Sequence, residues 1–271
     1  MITSLRNPRI KQARSLRQRK FRRESGLFLV EGIRQVGDAL ESGFEIADLF
    51  YAPDLLTSPF AHRLIEEARR RGLEAVPVSP QVFASLAEKQ HPQGILAVAR
   101  WPRRPLESLS PQNAPWVVAL VAPQDPGNIG TVLRTMDAVG ADALLLLDGG
   151  ADPTHPTAVR ASMGALFWVP VVQTDFAAFA AWSGEQGYAV YGTSARGTAG
   201  LEVLRVAQPP FVLLLGSERS GLSAEQQALC RQTVRLPMRG HVSSLNLGVA
   251  AGVCLYACEG MRRWGDGGTG G

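Results

Sequence analysis

The sequence predicts an α/β protein: a larger C-terminal part built on a parallel sheet, preceded by a smaller α/β domain. Three observations carry that prediction. After Trp116 the chain holds six short, nearly continuous apolar runs: 116–122, 143–148, 167–172, 188–194, 211–217 and 233–238. Strands apolar on both faces need helices on both sides, which is the condition of a parallel sheet. The segments between them, 127–139, 154–166, 174–186 and 223–230, are long enough for crossover helices. Before Trp116 the pattern is different, and residues 101–115, with four prolines and little periodicity, separate the two parts as a linker.

Taken in order, the chain opens on a basic stretch. Nine of its 28 basic side chains fall in residues 1–23, which contain no acid, leaving 19 basic against 24 acidic residues elsewhere. The net charge of +4 therefore describes a mildly acidic body carrying a basic N-terminal arm. Such an arm neutralises phosphates, lies on an anionic membrane or keeps the protein soluble. Its helix-spaced face, Ile10, Ala13 and Leu16, is too weak for firm membrane insertion. Nucleic acid is the partner that the charge pattern favours.

Residues 24–100 then alternate. Strand-like segments at 26–32, 46–53, 74–79 and 94–100 are separated by helical patterns at 33–43, 59–72 and from Val82 to Ala87, with Gly43 and Gly72 as stops. A final apolar helix spans 245–258, and 265–271 (GDGGTGG) has the composition of a disordered tail. With 271 residues and 45% apolar content, the chain has enough material for two cores. No apolar run approaches the ~18 residues of a membrane span, and the first 23 residues lack the apolar centre of a signal peptide. A cytoplasmic protein is expected.

Cys254 and Cys258 lie four apart in an apolar helix, Cys230 stands alone, and no CxxC occurs. These predict buried, reduced thiols. His62, His91, His155 and His241 fit no metal spacing, so no metal is expected.

Open parallel sheets bind ligands at the carboxyl ends of their strands, which directs attention to three loops. The first, 124–141 (QDPGNIGTVLRTMDAVGA), makes a tight turn through Pro126, Gly127 and Gly130 into a helix bearing Asn128, Arg134 and Asp137. An Arg134–Asp137 pair at i, i+3 is its ordinary structural reading. The second, 213–223 (LLLGSERSGLS), brackets Glu218 between Gly216 and Gly221, with Ser223 as an N-cap. It has neither the Gly-Lys-Ser of a phosphate loop nor GxGxxG, and so leaves adenosine recognition by backbone open. The third, 236–260, leads through Ser243, Ser244 and Asn246 into a helix of small residues, where the two serines are ordinary cap candidates.

In these three segments the chain resembles the SpoU (TrmH) family of RNA ribose 2′-O-methyltransferases, within the SPOUT superfamily. The family's motifs are matched in order by 128–141, 213–223 and 236–256. Residues 27–100, from FLVEGIRQV onward, resemble its ribosomal-protein-like substrate-binding domain. The resemblance implies a methyltransferase domain over 116–264 with a deep trefoil knot, an exception to the rule that chains do not thread loops. It also implies S-adenosylmethionine as cofactor, held near Gly192, Thr193, Gly216, Leu236, Met238 and Leu245, and methyl transfer to a ribose 2′-hydroxyl.

By the same resemblance Arg134 is the catalytic residue, either as a base or as a clamp on an RNA phosphate. Asn128 and Asn246 bond the ribose and fix the loop, and Glu218 and Ser244 orient. Arg219 and Ser220 depart from the small residues common at their positions. Arg160 and Ser162 match a segment near RNA, where a phosphate contact and a structural ion pair are equally open readings for Arg160. Arg9, Lys11, Arg14 and Arg17 are the expected RNA contacts of the arm. The family further implies a homodimer, for which the helix at 245–258 suits an interface, although a core helix has the same composition. Ribosomal RNA is the expected substrate, with tRNA, or a non-catalytic RNA-binding role, as the alternatives.

Overall fold

A computed structural model describes residues 1–88 and 91–259, grouped into two compact units. One comprises Met1–Arg103 with Asp152–Trp168, and the other Arg104–Ala151 with Val169 onward. The expected tail at 265–271, and the part of the 116–264 domain past Glu259, lie outside the described residues.

The first unit contains α1 (Pro8–Ser15), α2 (Arg19–Ser25), β1 (Leu27–Glu31), α3 (Ile33–Glu41), β2 (Ile46–Tyr51), α4 (Pro59–Arg70), β3 (Ala75–Pro77), α5 (Pro80–Leu86) and β4 (Ile95–Arg100). Its sheet has the order β1-β4-β2-β3, with β4 antiparallel to both neighbours and β2 parallel to β3. Successive side chains of a strand point to opposite faces, so β1 feeds two cores. Leu27 and Leu29 join Phe50, Val76, Phe83, Leu86, Leu96 and Val98 on one side. On the other, Phe28 packs edge-on to Phe44 and Trp101 and stacks on Phe167, ring centroids 6.4 Å apart.

Residues 1–23 are not a free arm. Ile10, Ala13 and Leu16 are almost fully buried in the first core, and Ile2 pairs with the chain leaving β3 through Ile2 N–H to Pro77 O at 2.8 Å and Ser79 N–H to Ile2 O at 2.9 Å. Burying Ile10 and Leu16 favours docking, since each large apolar side chain fully removed from water contributes about 1.5–3 kcal/mol. Several cations of the stretch are structural. Arg9 donates to Asp48 and Glu74, and Arg17 to the Ala87 carbonyl. Arg22, 4% exposed, donates to the Leu16 and Arg17 carbonyls behind α1 and to Asp152 Oδ2, at 2.7 Å from Nη2. Lys11 and Arg14 remain exposed.

The segment 154–166, expected as a crossover helix of the parallel sheet, instead lies within Asp152–Trp168 of this first unit, as do Phe167 and Trp168, expected to start a strand. Asp152–Trp168 holds α7 (Pro156–Ala161) and a 3₁₀ turn, Ala165–Phe167. Apolar side chains alone could not reveal this, because Val159 and Phe167 are buried against whichever sheet they meet. Arg160 forms an ion pair with Glu88 at 2.9 Å, and Ser162 is fully buried with its hydroxyl on the Val159 carbonyl, so neither presents a free contact.

The second unit contains β5 (Trp116–Val121), α6 (Pro126–Val139), β6 (Ala143–Leu147), β7 (Val171–Thr174), α8 (Phe176–Glu185), β8 (Ala189–Thr193), α9 (Glu202–Arg205), β9 (Phe211–Leu215), α10 (Ala224–Leu229), β10 (Gln232–Val234) and α11 (Leu247–Glu259). All six strands are parallel, in the order β10-β8-β9-β5-β6-β7. The strands are shorter than the apolar runs, most of all at β7, which begins at Val171, and β10, which ends at Val234. Nor is 101–115 a linker throughout. Leu106, Leu109 and Ala114 enter the second core, and the Tyr188 hydroxyl, its pKa pushed up to about 12 by burial and the charge of Asp142, donates to the Ala114 carbonyl at 2.8 Å.

The Asp152 carboxyl shows how the first unit depends on one charge pair. Burial by itself raises its pKa, but hydrogen bonds from Thr154 and Arg22, with the charge of Arg22, outweigh burial and hold it below the usual value. A folded pKa below the unfolded one adds stability that is complete above about pH 4 and is lost as pH falls through the folded value. Arg22→Met leaves Asp152 without its cation and is expected to cost about 3–5 kcal/mol at pH 7. Chemical denaturation from pH 7 to 2 tests this: the variant's deficit should shrink on acidification.

Candidate active site

In the parallel sheet β10, β8, β9 and β5 are neighbours, and their carboxyl ends lie on one edge. From the β9/β5 gap the chain runs outward in opposite directions, β5 to β6 on one side and β9 to β10 on the other. That reversal leaves the crevice in which open parallel sheets take ligands. The loops after β5 and β9 emerge there, and the third, which leaves β10 at the sheet edge, reaches them at Asn246.

Their side chains form one hydrogen-bonded series. The Glu218 carboxylate, after β9, accepts from the Gln124 backbone N–H at 3.0 Å and from Asn128 Nδ2 at 3.0 Å. Asn128, 7% exposed in the first turn of α6, accepts in turn at Oδ1 from Asn246 Nδ2 at 2.9 Å. Asn246 Oδ1 accepts from Gly248 N–H at 2.9 Å, capping α11. Asn246 therefore takes the cap position for which Ser243 and Ser244 were the sequence candidates; both serines are exposed in the loop. The amide of Asn128 is engaged at both ends, its N–H by Glu218 and its carbonyl by Asn246.

Local sequence explains the approach of these elements. Asp125 caps α6 through Gly127 N–H at 2.7 Å, with Pro126 at the first helical position. A side chain at Gly248 would meet Thr131 Cγ2 at 2.9 Å, so glycine there lets α11 lie against α6. A side chain at Gly216 would run into the backbone of Gly221 and Leu222, which closes the 217–221 turn through reciprocal Ser217 and Gly221 backbone bonds. Ser223 caps α10 in a full capping box with Gln226. Ala122 and Asp148, at the ends of β5 and β6, hold φ of 41° and 58°, left-handed backbone of the kind that gathers at functional sites.

Arg134 is exposed on α6, on the same side as Thr131 and one turn further along, and makes no ion pair with any described residue; the i, i+3 pair with Asp137 does not form. Arg219, at the tip of the 217–221 turn, is likewise exposed and without a carboxylate.

Of the residues expected at the cofactor, Thr193 ends β8 and Gly216 follows β9, while Leu236 and Met238 lie half-buried in the irregular segment after β10. Leu245 is exposed. The space above Gly192 is taken by Cys230 Sγ and Leu222 Cδ1, making that glycine a packing position. Burial pushes the Cys230 thiol up to about 11, and Cys254 and Cys258 up to about 12, in keeping with inert thiols. From Leu236 to Leu245, in which Pro237 has no N–H, no backbone N–H donates to another described residue.

Gln124 and Thr131 were not among the residues expected at the site. Only the glycine at 248 hinted at a close neighbour, and nothing in sequence named Thr131 as that neighbour. The exposed stripe Val249, Val253 and Tyr256 on α11 was also hidden, because the helix is apolar all round.

A model of the SpoU rRNA methylase family matches residues 115–256, and one of the MRM3-like substrate binding domain matches residues 7–97. The chain is 30% identical to the 23S rRNA (guanosine(2553)-2′-O)-methyltransferase RlmP of Bacillus subtilis, over 96% of this chain and 99% of that protein. It is 33% identical to the 23S rRNA (uridine(2479)-2′-O)-methyltransferase of Streptomyces viridochromogenes, over 96% and 92% of the two chains. Among solved structures, an AdoMet-bound rRNA methyltransferase from Sinorhizobium meliloti superposes with a TM-score of 0.87 at 33% identity, covering 95% of this chain and 96% of that one.

Replacing Asn128 by aspartate tests the hydrogen-bonded series directly. Asn128→Asp sets a second carboxylate against Glu218 and is expected to destabilise the fold by about 1–3 kcal/mol at pH 7. Repulsion raises the pKa of such a pair, so the loss should ease as the pH is lowered and one carboxyl takes up a proton. Thermal melts at pH 5 and pH 8 read this out, and equal losses at both would contradict it.

Proposed function

The chain belongs to the SpoU rRNA methylase family, and from that membership we propose that it methylates a ribose 2′-hydroxyl of ribosomal RNA with S-adenosylmethionine. The observation that carries the reading is the site itself, in which Glu218, Asn128 and Asn246 join three loops beside the exposed, unpaired Arg134. Ribosomal RNA is favoured over tRNA because both curated relatives described above are named for 23S rRNA and match nearly their whole length, and because a substrate-binding domain precedes the methylase domain.

The residues present suit the cofactor. The unengaged amides of 236–245, the half-buried Leu236 and Met238 and the side-chain-free Gly216 provide backbone donors beside apolar surface, which is what an adenosine and a methionyl chain require. When bound, S-adenosylmethionine supplies an electrophilic methyl on a sulfonium. Arg134 binds the RNA phosphate beside the target and holds the 2′-hydroxyl in line. A guanidinium is a permanent cation in water, so an exposed one suits a clamp better than a base. Glu218, Asn128 and Asn246 keep the loops at fixed separation, and Arg219 adds positive charge at the rim. A trefoil-knotted path belongs to this reading. Its support is the family.

Among the basic residues expected to hold RNA, Lys11 and Arg14 keep that assignment; Arg9, Arg17 and Arg160 serve the packing of the first unit. The partner assigned to the exposed stripe of α11, Val249, Val253 and Tyr256, is a second copy of the chain. No helix of the described residues is long and apolar enough to cross a membrane.

The reaction is tested by transfer of labelled methyl to rRNA and tRNA, followed by mapping of alkali-resistant ribose positions. Arg134→Ala is expected to lower kcat/KM by about 10²–10³-fold, with S-adenosylmethionine affinity unchanged in calorimetry. Arg134→Lys should restore part of the rate, since it returns the charge without the fork. Absence of transfer by the native protein would defeat the proposal. Val253→Glu with Tyr256→Glu should convert a dimer to monomer in sedimentation, and a native monomer would remove the dimer from the reading.

A further inference from the structure

The α1–α2 segment was expected to act through charge alone, and its surface carries one feature that charge does not explain. Phe21 is 37% exposed on α2, where an apolar ring gains nothing from water. α2 is rigidly seated: Arg22, the next residue, is buried and bonded to Asp152 and to the carbonyls behind α1. On a helix Lys20 lies nearly opposite Arg22, while Phe21 and Arg23 lie on its two flanks. Lys20 and Arg23 are exposed, as are Lys11 and Arg14 on α1, and none of the four pairs with a described carboxylate. The α1–α2 segment thus carries exposed cations on both helices and one exposed aromatic ring, Phe21, next to Lys20 and on the flank of α2 opposite Arg23.

We propose that Phe21 stacks on an unpaired base of the RNA whose phosphates are held by Lys11, Arg14, Lys20 and Arg23. The proposal rests on the RNA reading above and narrows it to a substrate with a single-stranded element at this surface. Cations by themselves bind duplex and single strand through phosphate, whereas a ring adds binding only where a base is out of its stack. Because α1 and α2 are held by the core, their backbones need little ordering when RNA arrives.

The test measures binding of the full chain to an RNA hairpin with an unpaired loop and to a blunt duplex, over a range of salt. Phe21→Ala is expected to weaken hairpin binding by about 5- to 100-fold, leaving duplex binding and the slope of log K against log[salt] unchanged. Phe21→Trp should retain hairpin affinity. Phe21→Leu keeps an apolar body without the π-face, and should fail as Phe21→Ala does. Lys11→Ala with Arg14→Ala should weaken both RNAs and reduce the salt slope by about 2. Equal losses on hairpin and duplex, full hairpin affinity in Phe21→Ala, or full affinity in Phe21→Leu would each overturn the stacking role. Failure of the native protein to bind either RNA would defeat the RNA reading itself, a result distinct from the others. Thermal melts of each variant separate lost binding from lost folding.

Discussion

The hydrogen-bonded series from Glu218 through Asn128 to Asn246 is the constraint on which the site depends. It joins the turn after β9, the start of α6 and the cap of α11, three pieces of chain separated by 90 and 118 residues. Each amide or carboxylate in it answers a need that would otherwise go unmet. The buried Asn128 amide finds partners at both ends, α11 gains its cap, and the Glu218 charge is met by the Gln124 N–H. Removing a member therefore leaves unsatisfied groups in two elements at once, which is why such a network holds its loops more firmly than separate contacts do.

Around this series the smallest residues govern how closely backbones approach. Gly248 allows α11 against Thr131 of α6, and Gly216 allows the 217–221 turn to fold back on its own strand. Arg134 and Arg219 are exposed around this series, on α6 and on the 217–221 turn. Paired and exposed charge are separated in the same way in the first unit. Arg9 and Arg22 are consumed by carboxylates, while Lys11, Arg14, Lys20 and Arg23 remain on the surface.

Much of this architecture was legible in the chain. Apolar runs without alternation located the six parallel strands, because a strand covered on both faces has no polar side to show. Glycines, prolines and caps marked the turns after β5 and β9, including the Ser223 cap, because those conformations demand particular residues. What misled was the basic N-terminus. Charge dominates its composition, whereas its placement is decided by three apolar residues at helical spacing, Ile10, Ala13 and Leu16. The 152–168 segment misled for a related reason, since Phe167 carries no mark of which sheet it covers and its stacking on Phe28 becomes visible only in three dimensions.

By itself the sequence determined the α/β class, the positions of the strands, the family and the loops of the candidate site. These follow from local rules: periodicity, turn stereochemistry and ordered motifs. Tertiary structure decided which arginines are free and which are paired, that Asn246 and not a serine caps α11, that Asn128 is engaged at both ends, and that Phe21 faces water. The physical reason is that hydrogen-bond partners and burial are set by residues far apart in the chain. Arg22 and Arg23 are neighbours of the same type, and only the position of Asp152, 130 residues away, makes one structural and leaves the other exposed.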